Sequence, residues 1–150
     1  MKRKVALVAG GYSGEYAISI KSVKTIETHL DTEKYEVFKI IITKEGWWHE
    51  STTNEKIPVD KNDFSVTING KKNTFDVVFI AIHGTPGEDG KLQGYFDMLD
   101  IPYTTCNQIV SAITFNKNFC NRTLKSYNVV DIANSVVLYK STPYSLGVIL

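Results

Sequence analysis

Residues 83–94 read His-Gly-Thr-Pro-Gly-Glu-Asp-Gly-Lys-Leu-Gln-Gly, the densest set of chemically able residues in the chain. Glycine adopts backbone conformations closed to other residues and lets a ligand approach the main chain. His83 stands where an apolar run, Val77-Val78-Phe79-Ile80-Ala81-Ile82, empties into this loop. In open α/β sheets ligands bind at the carboxyl ends of strands. There a histidine can donate to a carboxylate or move a proton, although a histidine capping a strand can also be held by backbone alone. Glu88 and Asp89 could act as paired acids or metal ligands. With Gly90 behind them, the favoured reading is that they shape the loop and cap the next helix.

A second glycine loop, Gly10-Gly11-Tyr12-Ser13-Gly14-Glu15, follows the apolar run Val5-Ala6-Leu7-Val8-Ala9. It has neither the G-x-G-x-x-G spacing of a dinucleotide site nor the Lys-Ser/Thr ending of a P-loop. Glu15 at a helix start can simply complement the helix dipole, worth ~0.3–1 kcal/mol. Equally, it is a fixed anion available to a ligand ammonium. Trp47-Trp48 could serve as a stacking platform, but no basic residues are interleaved with them, and strand packing is the favoured reading.

The elements that must carry these loops follow from periodicity. Val5–Ala9 reads as a buried parallel strand. Ile20, Val23, Ile26 or Glu27, and Leu30 form a helical stripe. Residues 35–43 are a β-branched strand, 44–46 a turn, and Trp47 to His49 a short strand. Residues 51–73 are polar and weakly patterned, with Phe64, Val66 and Ile68 alternating before an Asn69-Gly70 hairpin turn. Residues 75–82 read as the central buried strand. Leu92, Tyr95, Phe96 and Leu99 mark an amphipathic helix, and residues 101–104 a short strand. Two consecutive helical patterns follow (Ile109, Ala112, Ile113; then Cys120, Leu124, Tyr127), then a strand over 135–139 and a helix start at Thr142-Pro143. The chain stops on the apolar Gly147-Val148-Ile149-Leu150, which reads as a cut inside a larger protein.

The predicted fold is α/β: a Rossmann-like, mostly parallel sheet flanked by helices, with a change of pattern near residue 105. The 150 residues suit one domain or one domain with part of another. The net charge of +1 argues against nucleic acid or a membrane surface recognised through bulk charge. No run approaches the ~20 apolar residues of a membrane span. Cys106 and Cys120 show no metal-ligand spacing and read as two reduced, partly buried thiols of a cytoplasmic protein.

Together the two loops resemble the amino-terminal part of the D-alanine–D-alanine ligases, bacterial cell-wall enzymes of the ATP-grasp superfamily. Residues 10–15 resemble the family's Gly-Gly-x-Ser-x-Glu. Residues 83–94 match H-G-x-x-G-E-D-G-x-L-Q-G at every specified position. Residues 42–48 resemble the segment after the second strand, and 111–117 the segment opening the ATP-grasp region. The resemblance implies a substrate-binding (pre-ATP-grasp) domain over residues 1–104 and the truncated beginning of an ATP-grasp domain over 105–150. It implies an ATP- and Mg2+-dependent ligase that phosphorylates one D-alanine and couples it to a second for peptidoglycan synthesis, cell wall biogenesis and cell shape. Most metal ligands would lie beyond residue 150, no metal ligand is assigned here, and this chain alone would be inactive.

By the same resemblance Glu15 holds the first D-alanine's ammonium and His83 lies near its carboxyl end. Gly11, Ser13 and Gly84 line the substrate, and Lys117 contacts nucleotide phosphates. A homodimer is also implied. The alternatives are a non-catalytic binding module or paralogue and a D-alanine–D-lactate ligase. Two positions depart from the pattern: Tyr16 stands where a histidine is common, and Asn116 where an aspartate is common, putting a metal or capping role there in question.

Overall fold

The computed structural model describes residues 2–141 and 143. β1 (Arg3–Gly10) is buried on both faces from Val5 onward, as an apolar run in a parallel sheet must be. It pairs in parallel with β2 (Tyr35–Ile42) on one side and β7 (Val77–Ile80) on the other. From β2 the sheet continues antiparallel through β3 (Trp47–Glu50), β4 (Lys56–Asp60), β5 (Ser65–Ile68) and β6 (Lys71–Asn73), giving the order β6-β5-β4-β3-β2-β1-β7. The α/β class and the Rossmann-like parallel centre are as the sequence predicts. The sheet as a whole is mixed rather than mostly parallel, because short turns such as 44–46 and 69–70 can join only antiparallel neighbours.

β7 lies at the end of this order, not at its centre. Beyond it residues 101–104 contribute a single parallel bridge, Val78 to Tyr103, in place of the expected strand. β4 has no counterpart in the sequence reading because Pro58 interrupts its pattern. The proline is tolerated because it pairs with Trp48 of β3, while the ladder to β5 begins only at Val59.

Helices cover both faces of the parallel centre. α1 (Tyr16–His29) packs Val23, Ile20 and Ile26 against Leu7, Ala9 and Ile41. α2 (Lys91–Met98) buries Leu92 and Phe96 against the opposite face, with Ala6, Val8, Ile40 and Phe64. Trp47 faces this second cluster and Trp48 the first, so both are strand-packing residues. Lys56 lies over the Trp48 ring and Lys61 over Trp47, at 4.3 and 5.0 Å from the ring centres.

α3 (Gln108–Phe115) and α4 (Lys117–Tyr127) occupy the two consecutive helical patterns. Residues 135–139 form no strand; a β-strand needs a partner ladder, and none stands beside them among the described residues. The expected N-cap Thr142 and the apolar end 147–150 lie outside the described residues. Both cysteines are free thiols, but Cys106 is exposed rather than partly buried, since it sits on the loop entering α3. No described helix is long and apolar enough to cross a membrane.

Candidate functional site

The two glycine loops leave the neighbouring parallel strands β1 and β7 on the same edge of the sheet, and the chain stitches them together. The Tyr12 N–H donates to the Thr85 carbonyl at 2.8 Å. Ser13 Oγ donates to the His83 carbonyl at 3.1 Å. Gly11 and Gly84 both have positive φ, 107° and 71°, where L side chains are strained. Space forbids a side chain as well. A Cβ on Gly11 would stand 2.8 Å from Ile82, and one on Gly84 would stand 2.8 Å from Ser13 Oγ and 2.9 Å from Glu15 Oε2. The structure therefore brings Gly11, Ser13, Glu15, His83 and Gly84 together.

Glu15 is the N-cap residue of α1, yet its side chain makes no capping hydrogen bond. It is exposed, makes no ion pair among the described residues, and leans over Gly84. Its carboxylate is thus available to a cation at the loop junction. The neighbouring Tyr16 ring lies against Gly10, within 3.2 Å of where a Cβ would be.

His83 is half-buried, and its Nε2 meets Ser22 Oγ of α1 at 3.1 Å. Three residues earlier Ser19, fully buried, accepts from the Gly10 N–H at 2.9 Å and donates to the Ala81 carbonyl at 2.7 Å. One hydroxyl thus joins the ends of β1 and β7 just where the loops begin. These serines carry no motif. Their signal is positional, because they lie on the helix face that includes Val23 and Ile26, where a polar residue must find partners.

The carboxylates of the second loop hold the loop itself. Glu88 Oε2 accepts from the Gly84 N–H at 2.8 Å. Asp89 accepts from Thr85 Oγ1 at 2.6 Å and from the Lys91 N–H at 3.3 Å, and it pairs with the Lys91 ammonium. Burial pushes the Asp89 carboxyl up, but the Lys91 and Thr85 hydrogen bonds outweigh it and leave its pKa below the ordinary value. The loop-shaping reading is the observed one. The N-cap position of α2 itself is taken by Gly90, in the left-handed region, with no side-chain cap.

Gln93, the glutamine of the matched motif, is fully buried, and its partners carry no sequence signal. Its amide donates to the Gly87 carbonyl at 2.7 Å and to Thr105 Oγ1 at 2.9 Å, tying the loop to the segment that enters α3. On the far side of that tie lies a cavity of about 550 Å³, lined by Gly87, Glu88, Thr105, Ser111 and Lys117 among others. Lys117, the first residue of α4, is the only cation on this wall among the described residues. Its ammonium suits an anionic group, but Glu88 on the same wall disfavours one. Lys117 does not join the Glu15–His83 cluster. Asn116 caps α4, its Oδ1 accepting from the Asn118 and Phe119 N–H groups at 3.1 and 3.2 Å. The capping role in question there is therefore filled by asparagine, which caps about as well as aspartate. Among the described residues no group of three or more His, Cys, Asp or Glu side chains is placed to hold a metal ion.

A parallel sheet centre whose two adjacent strands open into fused glycine loops, with a carboxylate and a histidine at the junction, makes this an α/β domain with a candidate ligand site at its strand ends. The family model described as D-ala D-ala ligase N-terminus matches residues 4–106. The chain belongs to this D-alanine–D-alanine ligase family. It is 49% identical over 140 residues to the D-alanine–D-alanine ligase of Parabacteroides distasonis, covering 93% of this chain and 42% of that protein. Among solved structures it is similar to D-alanyl-alanine synthetase A from Vibrio cholerae, with a TM-score of 0.75 and 29% identity over 85% of this chain and 38% of that one. It is likewise similar to the Bacillus anthracis D-alanine–D-alanine ligase complexed with ATP, with a TM-score of 0.67 and 26% identity over 95% and 42%. The chain thus spans about two fifths of the length of these relatives.

Proposed function

We propose that this chain supplies the first D-alanine site of an ATP-dependent D-alanine–D-alanine ligase. The observation that carries this reading is the junction of the two loops, where Glu15, whose side chain has no partner among the described residues, leans over Gly84 directly beside His83. An unpaired carboxylate there can hold the ammonium of an amino acid, and a histidine at a strand end can meet its carboxyl group. Gly11, Ser13 and Gly84 keep the backbone close enough to fix the ligand between them, and fixed geometry is what a coupling of two small substrates needs. Residues 1–104 form the substrate domain in this reading, and residues 105–150 begin the ATP-grasp domain.

Lys117 would meet the phosphates of ATP, and Mg2+ would be held by carboxylates contributed from outside this chain. When bound, ATP supplies the phosphoryl group that activates the first D-alanine's carboxylate. The residues of this chain bind and orient that amino acid. The protein would work in the cytoplasm, as a homodimer, supplying the D-alanyl-D-alanine used for peptidoglycan synthesis. In the complete ligase, Glu15→Gln removes one charge-assisted contact. It should raise KM for the first D-alanine by roughly ten- to a hundredfold. Unchanged steady-state kinetics would remove Glu15 from the site. The 150 residues alone should release no phosphate from ATP with D-alanine and magnesium.

A further inference from the structure

The position of Ser22 on α1 has a consequence for His83. An imidazole has two nitrogens, and which one carries the proton is set by the partner of the other. Nε2 of His83 is occupied by Ser22 Oγ at 3.1 Å, whereas Nδ1 has no hydrogen bond among the described residues. The Ser22 hydroxyl also has no other acceptor there. Unlike Thr25 and Thr28 on the same helix, which return their hydroxyls to the carbonyls of Lys21 and Thr25, it does not bond back to its own backbone. Its hydrogen is free to be directed at Nε2. A neutral imidazole that accepts at Nε2 carries its proton on Nδ1.

The rest of the surroundings fixes the ring from the other end. The His83 carbonyl is held by Ser13 Oγ, and the preceding residues are held through Ser19 on Ala81. Ser19 and Ser22 stand three apart on one helix face, so α1 positions both the backbone entering the loop and the ring that leaves it. We infer that Ser22 is the positioning residue for His83: it engages Nε2 and presents a protonated Nδ1 as the ligand-facing donor. Such a donor suits an anionic oxygen, the carboxyl end of an amino acid, with Glu15 meeting the opposite charge. The ligand assignment rests on the function proposed above; the state of the ring does not.

The ring is read directly by long-range 1H–15N NMR on the 150-residue chain, without substrate. Wild type should show a pyrrole-like Nδ1 and a pyridine-like, hydrogen-bonded Nε2. Ser22→Ala should shift His83 toward the Nε2–H tautomer, and Ser22→Thr, which keeps the hydroxyl, should restore the wild-type pattern while backbone amide shifts elsewhere stay in place. A His83 spectrum indifferent to Ser22→Ala, or a wild-type Nε2–H tautomer, overturns the inference whether or not the protein is a ligase. In the complete protein, His83→Asn places an amide near Nδ1 and His83→Gln near Nε2. Asparagine should retain roughly two- to tenfold more kcat/KM for D-alanine than glutamine, the value of about one hydrogen bond. The reverse order overturns the Nδ1 assignment. Absence of ligation by the wild-type protein refutes the ligase reading and leaves the NMR result on Ser22 standing.

Discussion

The sheet with α1 and α2, and the helical pair α3–α4, are built from similar proportions of apolar residues but treat them differently. In the first region Leu7, Val8, Val23 and Phe96 are almost wholly inaccessible. In the second, α3 buries only Ser111 and α4 buries nothing, while Ile109, Phe119 and Tyr127 are 64, 59 and 72% exposed. An amphipathic helix is stable chiefly through the face it packs. The first region therefore contains its own partners and can set a site, whereas the second presents apolar faces without an internal partner among the described residues. The candidate chemistry divides along the same line: Glu15 and His83 sit in the packed region, and Lys117 opens the unpacked one.

The sharpest break of this contrast uses phenylalanine against phenylalanine. Phe96 is fully buried and meets the Phe64 ring edge-on, with centres 4.8 Å apart. Phe96→Ala should cost about 3–5 kcal/mol, through lost burial and the cavity left behind. Phe119→Ala should stay within about 0.5 kcal/mol. Urea unfolding of the 150-residue chain measures both, and comparable losses would show that α4 belongs to the same packed unit.

The next effect is smaller and probes how the packed region holds its loops. Ser19→Ala strands the buried Gly10 N–H and the part-buried Ala81 carbonyl. About 1–3 kcal/mol per unsatisfied group is expected. The loss should appear in urea unfolding together with faster amide exchange at Gly10. A neutral result would mean that water or backbone movement replaces the hydroxyl.

The two regions also differ in how far the sequence describes them. Continuous apolar runs announce β1 and β7 because a strand covered on both faces has no alternation to obscure. The loops are equally plain, since only glycine fits where Gly11 and Gly84 sit. Which face each apolar residue covers is a tertiary matter, and so the place of β7 at the sheet end and the existence of β4 were not legible. Nor were the partners of Ser19, 9 and 62 residues away, of Ser22, 61 away, and of Gln93, 6 and 12 away, because they depend on the assembled sheet. Past residue 105 the helical periodicity identifies α3 and α4 well, but the strand expected over 135–139 fails because β pattern without a neighbouring ladder fixes nothing.

In the unpacked region the caps carry a larger share of local stability. Asn116→Ala should lower the stability of α4 by about 1 kcal/mol, whereas Asn116→Asp should be nearly neutral. Hydrogen exchange at Asn118 and Phe119 is the readout, with β1 amides as the internal control. Protection spreading its loss to β1 would contradict the separation between the regions.

The smallest effect distinguishes the regions by charge. α3 and α4 are capped by neutral asparagines, Asn107 and Asn116. The second glycine loop is instead held by ionised groups, with Asp89 bound to Thr85 and Lys91. The folded-state pKa of Asp89 lies below its ordinary value. Its contribution is therefore fully present above the usual carboxylate pKa of ~3.9 and is lost as pH falls through the lower folded value. Lys91 is largely exposed, so screening keeps the contribution within roughly 1 kcal/mol. Between pH 6 and pH 2.5, amide exchange corrected for intrinsic rates should quicken at Gly87 and Lys91 but not at Val110 or Asn118. Asp89→Asn should flatten that part of the profile, because an amide keeps the Thr85 contact and cannot titrate. If the α4 amides loosened in step with the loop on acidification, the two regions would be sharing one cooperative unit after all, and the loop's carboxylates would be holding more than the loop.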